Sequence, residues 1–347
     1  SLAVEADVFT IVDTDANIAA AMGTVTGAAL LAKAASVTLA NGTVVKFDYI
    51  GDPATAGTLH IVGTRAEIEA LPASLAAAQK IMEVSVADLA ANPGYFASLP
   101  SAVDYRVVDT FANLTSGNAL IGGADGITVT NNITMAQALT ARALGLSAGE
   151  VNYSLSDTTA NLVAANLNGV SVAGVLTAST NVVATTPATV GDAATLLASV
   201  PAGTGTATYD IAVTTAATFT DTDTFNGARN ITVTAAAGAS IDTTQAGFLL
   251  AATNSGTTTI GRVSGTATQV AALIKGANDT ITSIVTTGTA TVAEARILQG
   301  LSNSVTYALS DTAANLAAAG DAVLNGATTI ALVSGGTATL AQFAIID

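Results

Sequence analysis

Four times the chain writes nearly the same phrase, at Phe9 to Ile18, Tyr105 to Leu114, Tyr153 to Leu162 and Tyr307 to Leu316. Each opens on an aromatic residue, passes through a short strand-like stretch to Asp-Thr, and closes on Ala-Asn followed by Leu or Ile. Self-similarity of this kind marks a repeat architecture, because so short a unit cannot bury its apolar face alone and must stack on its neighbours. The expected product is a modular scaffold rich in stacking surface.

Aligned on the residue that follows the first strand, comparable starts fall at Thr14, Thr64, Ser85, Thr110, Thr134, Thr158, Thr268, Thr291, Thr312 and Thr339, and most neighbouring starts lie 21 to 27 residues apart. The Asp-Thr-x-Ala-Asn-Leu form alternates with a second one carrying Ala-Gln or Ala-Glu, as at Thr134 to Ala138, Thr291 to Ala295 and Thr339 to Phe343. Units open on alternating apolar residues, as in Ile127 to Thr130 and Ile231 to Thr234, the period of a strand. An Ala/Leu-rich stretch at helical spacing follows, as in Ala66 to Leu71 and Val292 to Leu298. Glycine closes many units, at Gly276, Gly300 and Gly326, where a helix end with positive φ is expected.

The fold class expected is therefore α/β: a right-handed solenoid of about twelve strand-plus-short-helix coils with a period of about 24 residues. At the usual strand spacing it would stack to about 60 Å. Residues 36 to 50 read instead as a hairpin with a type I′ turn at Asn41-Gly42. Residues 178 to 260 keep strand signals among Thr, Ala and Gly but lose the helix signal, so a more β-rich middle section is expected. Four segments follow: an N-terminal cap with the first repeat and hairpin (1–57), an α/β solenoid (58–178), a β-rich irregular section (179–257) and a second α/β solenoid (258–347).

Composition narrows the role. Ten Lys plus Arg against 25 Asp plus Glu give a net charge of -15, which repels phosphate backbones and anionic lipid, so no nucleic-acid partner is expected. No apolar run reaches the length of a membrane span. The absence of cysteine removes disulfides and thiolate chemistry, as in many large repeat proteins exported by bacteria. The chain opens at Ser1 without Met or a basic leader region, so targeting is unreadable.

The phrase Tyr-x-Leu-Ser-Asp-Thr-x-Ala-Asn-Leu, with its Thr-x-Ala-Gln partner units, resembles the repeats of very large exported bacterial surface proteins, both adhesin-like and surface-layer-like. The likeness covers about two thirds of the chain and is clearest at residues 105–165 and 258–347. It implies a structural or adhesive role outside the cell, often with calcium. The Gly-Gly-x-Gly-x-Asp calcium repeats that many such proteins carry are absent from this sequence.

Asp13, Asp109, Asp157 and Asp311 recur at the strand-to-helix junction, where a carboxylate accepts backbone N–H groups and faces the positive end of the helix dipole. That capping reading is favoured over calcium. Asn17, Asn113, Asn161 and Asn315 follow four residues later, and in stacked coils such amides can satisfy turn backbone from one layer to the next. Asp221, Asp223 and Asn226 form a weak calcium-loop pattern without the later bidentate Glu. His60, the sole histidine, is flanked by Leu59 and Ile61, and no relay or metal site assembles around it. No enzyme activity and no obligatory cofactor are expected, calcium being the one candidate ion. Thr-x-Thr pairs such as Thr128/Thr130 could form a hydroxyl array, but many units lack them.

An open stack presents unpaired strand edges at its ends, and such edges are either capped or used for association. The last unit is a good repeat without a polar cap. The expected function is a structural subunit of an extracellular bacterial assembly, a surface layer, filament or fibre of self-associating copies. The contacts would run through Thr329 to Val333 or through a donated segment Leu2 to Val12. The alternative is a ligand-binding module of a large repeat adhesin, with a cell-surface glycan or host ligand as partner and residues 178–260 as the place to look.

Overall fold

The computed structural model describes residues 9–50, 58–144, 150–172, 174–200, 206–214, 219, 222–234 and 238–346. The chain is α/β with mixed sheets and divides into two compact units, Ser1–Leu155 with Leu167–Thr180 and Ser156–Asn166 with Asn181–Asp347.

In the first unit, strands β1 (Thr10–Val12), β2 (Ser36–Thr38), β3 (Val44–Ile50), β4 (Thr58–Thr64), β5 (Gln79–Val84), β6 (Val103–Asp109), β7 (Gly126–Val129) and β8 (Glu150–Asp157) lie side by side in chain order. β3 runs antiparallel to β2 and β4, and the other neighbours are parallel. Register aligns Val84 with Val107 and Val107 with Ile127, so one row of β-branched side chains crosses three strands in the core. Most strands lead into a short helix: Arg65–Glu69, Val86–Ala91, Phe111–Leu114 and Met135–Arg142. Helices this short have little intrinsic stability. Thr64, Ser85, Thr110 and Thr134 each cap one by accepting the N–H three residues on.

Short strands β9 (Asn166–Leu167) and β10 (Val170–Ser171) flank Asn168 and Gly169, whose φ values of 51° and 82° are those of a type I′ turn. In the second unit β11 (Ser179–Ala184) pairs in parallel with β12 (Thr206–Thr208). A further sheet comprises β13 (Ile211–Thr214), β14 (Ile231–Thr234), β15 (Ile241–Asp242), β16 (Thr258–Thr266), β17 (Thr280–Ala290), β18 (Val305–Asp311) and β19 (Ala327–Leu332). Its order is β13-β14-β16-β17-β18-β19, all parallel, with β15 also on β16. Val213, Val233, Ile260 and Ile281 are successive register partners and form the buried row. Alternate residues Thr232 and Thr234 face solvent, as period-2 patterning requires.

Several expectations are corrected. Residues 178–260 are not helix-poor: helices Val190–Ser199, Thr222–Asn226 and Thr243–Leu250 lie there. Thr189 and Asp242 cap two of them, and these caps secure helices whose low-contrast Ala/Thr/Gly sequence hides the helical period. The unit start assigned to Thr268 lies two residues earlier, because Thr266 is the helix cap. At Asn41-Gly42 only the glycine has positive φ, 84°. The N–H of Gly42 bonds Leu39 O and that of Leu39 bonds Thr43 O, a three-residue loop in place of the type I′ turn. Gly276, Gly300 and Gly326 are not among the positive-φ glycines. Gly300 lies inside the helix Val292–Leu301, and the other two are small for contact reasons.

Among the described residues no single helix is long and apolar enough to cross a membrane.

Candidate functional site

The repeated phrase folds into one corner in all four copies. The Asp sits just before the cap, Thr is the cap, and Asn is the third helical residue. The Thr hydroxyl accepts the Asn N–H, while one carboxylate oxygen accepts both the Thr N–H and the Asn side-chain amide. The Asp-to-Thr bonds are 2.7 Å at Asp13, Asp109, Asp157 and Asp311. The Asn amides of Asn17, Asn113 and Asn315 lie at 2.7 Å and that of Asn161 at 2.9 Å. The Asn side chains thus close their own corner and do not bridge layers, because the carboxylate four residues back takes their donor first.

The bridging is done by the second oxygen. Asp109 Oδ2 accepts the N–H of Val86, and Asp311 Oδ2 that of Val292, each the first residue of the preceding unit's helix. At other levels Asn131 accepts from Phe111 and Thr186 from Thr159 in the same way. Each bond satisfies an orphan donor at a helix start and ties one layer to the next. Burial raises the pKa of Asp109, but the donors Asn113, Thr110 and Val86 outweigh it, so the carboxyl titrates below its ordinary value. Asp311 behaves likewise, with burial opposed by Val292, Asn315 and Thr312. Exposed Asp13 is lowered chiefly by Asn17, then by Thr14.

A second ladder runs through tyrosines. Tyr153, Tyr209 and Tyr307 are fully buried, and each hydroxyl donates to a carbonyl further along the chain, at Val175, Thr224 and Val323, all at 2.7 Å. Tyr105 does the same to Leu120. Glycines make room: a Cβ at Gly227 would lie 2.7 Å from the Tyr209 hydroxyl, and one at Gly326 2.8 Å from that of Tyr307. Gly276 is likewise kept small by the Asp279 carboxylate, 2.6 Å from its missing Cβ. Tyr209 escaped the sequence reading because no Asp-Thr follows it; the Tyr-to-Gly spacing of 18 or 19 residues, shared with Tyr105/Gly123 and Tyr307/Gly326, was the available signal.

Of the weak calcium pattern, Asp221 lies outside the described residues. Asp223 and Asn226 stand one turn apart on the helix Thr222–Asn226, and Asn226 Oδ1 already accepts the Thr253 N–H at 2.8 Å. His60 is buried in β4. Among the described residues no three His, Asp or Glu side chains converge as a metal site.

The residues expected at assembly contacts fall at sheet edges. β1 ends the first unit's strand order, and Val12 on it is exposed; Leu2 lies outside the described residues. β19 ends the second unit's strand order. Thr329 and Val333 are exposed there, with Val333 N–H held by Asp311 O at 3.1 Å. The helix Leu340–Ile346 that follows buries none of its residues, leaving Leu340 86% and Phe343 57% exposed. Leu340 and Phe343, three residues apart, share one exposed face of this helix, and Leu332 is exposed at the end of β19.

No protein-family model, no curated protein and no solved structure matches the chain.

Proposed function

We propose that this chain is a structural subunit of an extracellular bacterial assembly, a surface layer, filament or fibre, in which copies associate through their sheet edges. The reading is supported above all by β19 and the helix Leu340–Ile346. The strand ends its sheet's order, and the helix that follows exposes Leu340 and Phe343 on one face. An exposed strand edge is a template for pairing, and exposed apolar side chains on the same coil offer further surface to bury on association. The sequential order of the strands, parallel except at β3, with layers tied together through Asp109 and Asp311, supports a right-handed solenoid as the subunit's form.

Negative-stain electron microscopy at rising concentration, in calcium and then in chelator, tests the proposal. Fibres or sheets are expected from the unaltered chain and separate particles from Phe343→Glu. Separate particles of the unaltered chain under every condition overturn it. Loss of order in chelator alone would assign calcium a part in assembly.

A further inference from the structure

Lys80 occupies an inner position of β5. Its register partners are Ile61 and Val103, and Ile61 is fully buried, so the strand's period points a charged residue into the core row. Only 6% of Lys80 is exposed. Its ammonium donates to two backbone oxygens, Ala76 O at 2.6 Å and Ala78 O at 2.7 Å. An ammonium has three donors. Among the described residues no third acceptor and no carboxylate reaches it. A buried charge without a counter-ion is costly, and burial pushes the Lys80 amine below its ordinary value.

The same side chain lines a cavity of about 430 Å³, inside the about 300–1,000 Å³ range of small-molecule sites. Three segments build it around β5: the helix Arg65–Glu69 with Leu71, Ala76 before the strand, and the stretch from Tyr95 through Pro100 to Val103. Ile68, Leu71, Met82, Leu99 and Val103 supply an apolar wall. Glu69, which also lines the cavity, is neutralised by Arg65 at 2.8 Å, the Arg65 guanidinium lies 4.1 Å from the Tyr95 ring centre, and the Tyr95 hydroxyl donates to Met82 Sδ at 3.8 Å. That leaves Lys80 as the one lining charge without an opposite among the described residues.

We propose that this cavity binds a small apolar carboxylic acid, its hydrocarbon against the Ile68, Met82 and Leu99 wall and its carboxylate on Lys80. The anion fills the vacant donor and neutralises the charge, and the apolar wall favours a hydrocarbon body over a polar one. The site uses no residue of the β19 face, so it stands or falls apart from self-association.

The chain has three methionines, and only Met82 lines the cavity. In full-length protein labelled with ¹³C at the methionine methyls, decanoate below its micellar range should shift the Met82 signal and leave that of fully buried Met135 in place. Decanoate should bind at least tenfold more tightly than 1-decanol, a comparison that needs no variant. Lys80→Leu should lose at least tenfold in decanoate affinity while binding decanol as before. An unmoved Met82 signal, equal affinity for acid and alcohol, or full decanoate affinity in Lys80→Leu would each overturn the proposal.

Discussion

Two consecutive coils of the second unit carry the same instructions and meet different fates. The coil of β18 and the coil of β19 both lead from a parallel strand to a helix capped by threonine, Thr312 in one and Thr339 in the other. The bonds of the Thr339 and Gln342 capping box match those of Thr291 and Glu294. Yet Tyr307, Leu309 and Leu316 are fully buried, while Leu332, Leu340 and Phe343 are open. Local sequence secures the helix start in both coils, but burial belongs to the layer that follows. A repeat completes its predecessor's core and depends on its successor for its own.

The sharpest way to break that comparison is to delete the same side chain in each coil. Leu309→Ala should cost about 2–5 kcal/mol in urea unfolding, and Leu332→Ala, in dilute solution, no more than about 0.5 kcal/mol. Equal losses would mean that β19 is already buried.

Contacts between layers can be separated from contacts within them next. Gly227→Ala should cost about 1–3 kcal/mol because its methyl meets the Tyr209 hydroxyl 2.7 Å away. Tyr209→Phe should recover part of that loss, and a double-mutant cycle with no coupling would contradict the packing described. Asp311→Ala should cost about 1–3 kcal/mol, since it strands the Val292 N–H of the layer before. Asp13→Ala removes only bonds within its own exposed corner and should cost less.

The mildest probe is acid. Asp109 and Asp311 titrate below their ordinary range in the folded chain. Their contribution is therefore present above the ordinary carboxyl value and lost as pH falls through the lowered one, because the unfolded chain binds the protons first. The melting temperature should fall between about pH 5 and pH 2, with a shallower slope in the Asp109→Asn, Asp311→Asn double variant. An unchanged slope would remove the corner carboxylates from the account.

Much of this was legible in sequence, for identifiable reasons. Thr14, Thr64, Ser85, Thr110, Thr134, Thr158, Thr291 and Thr312 are helix caps as well as unit starts. Capping is a local interaction over three residues, and it leaves a local pattern. The links between layers span 19 to 27 residues and use whichever acceptor is at hand, an Asp, Asn131 or Thr186, so they leave none. The Lys80 cavity was also hidden, because it needs three non-adjacent segments to form its wall. Helices of residues 178–260 escaped because Ala, Thr and Gly give little contrast between faces.

The most direct test of the neighbour-dependent core is sedimentation velocity across a wide concentration range, for the unaltered chain and for a Leu340→Glu, Phe343→Glu pair. The account predicts that the unaltered chain sediments faster as concentration rises while the double variant stays at one monomeric value. A single monomeric species for both chains at every concentration, or equal association in both, would contradict it.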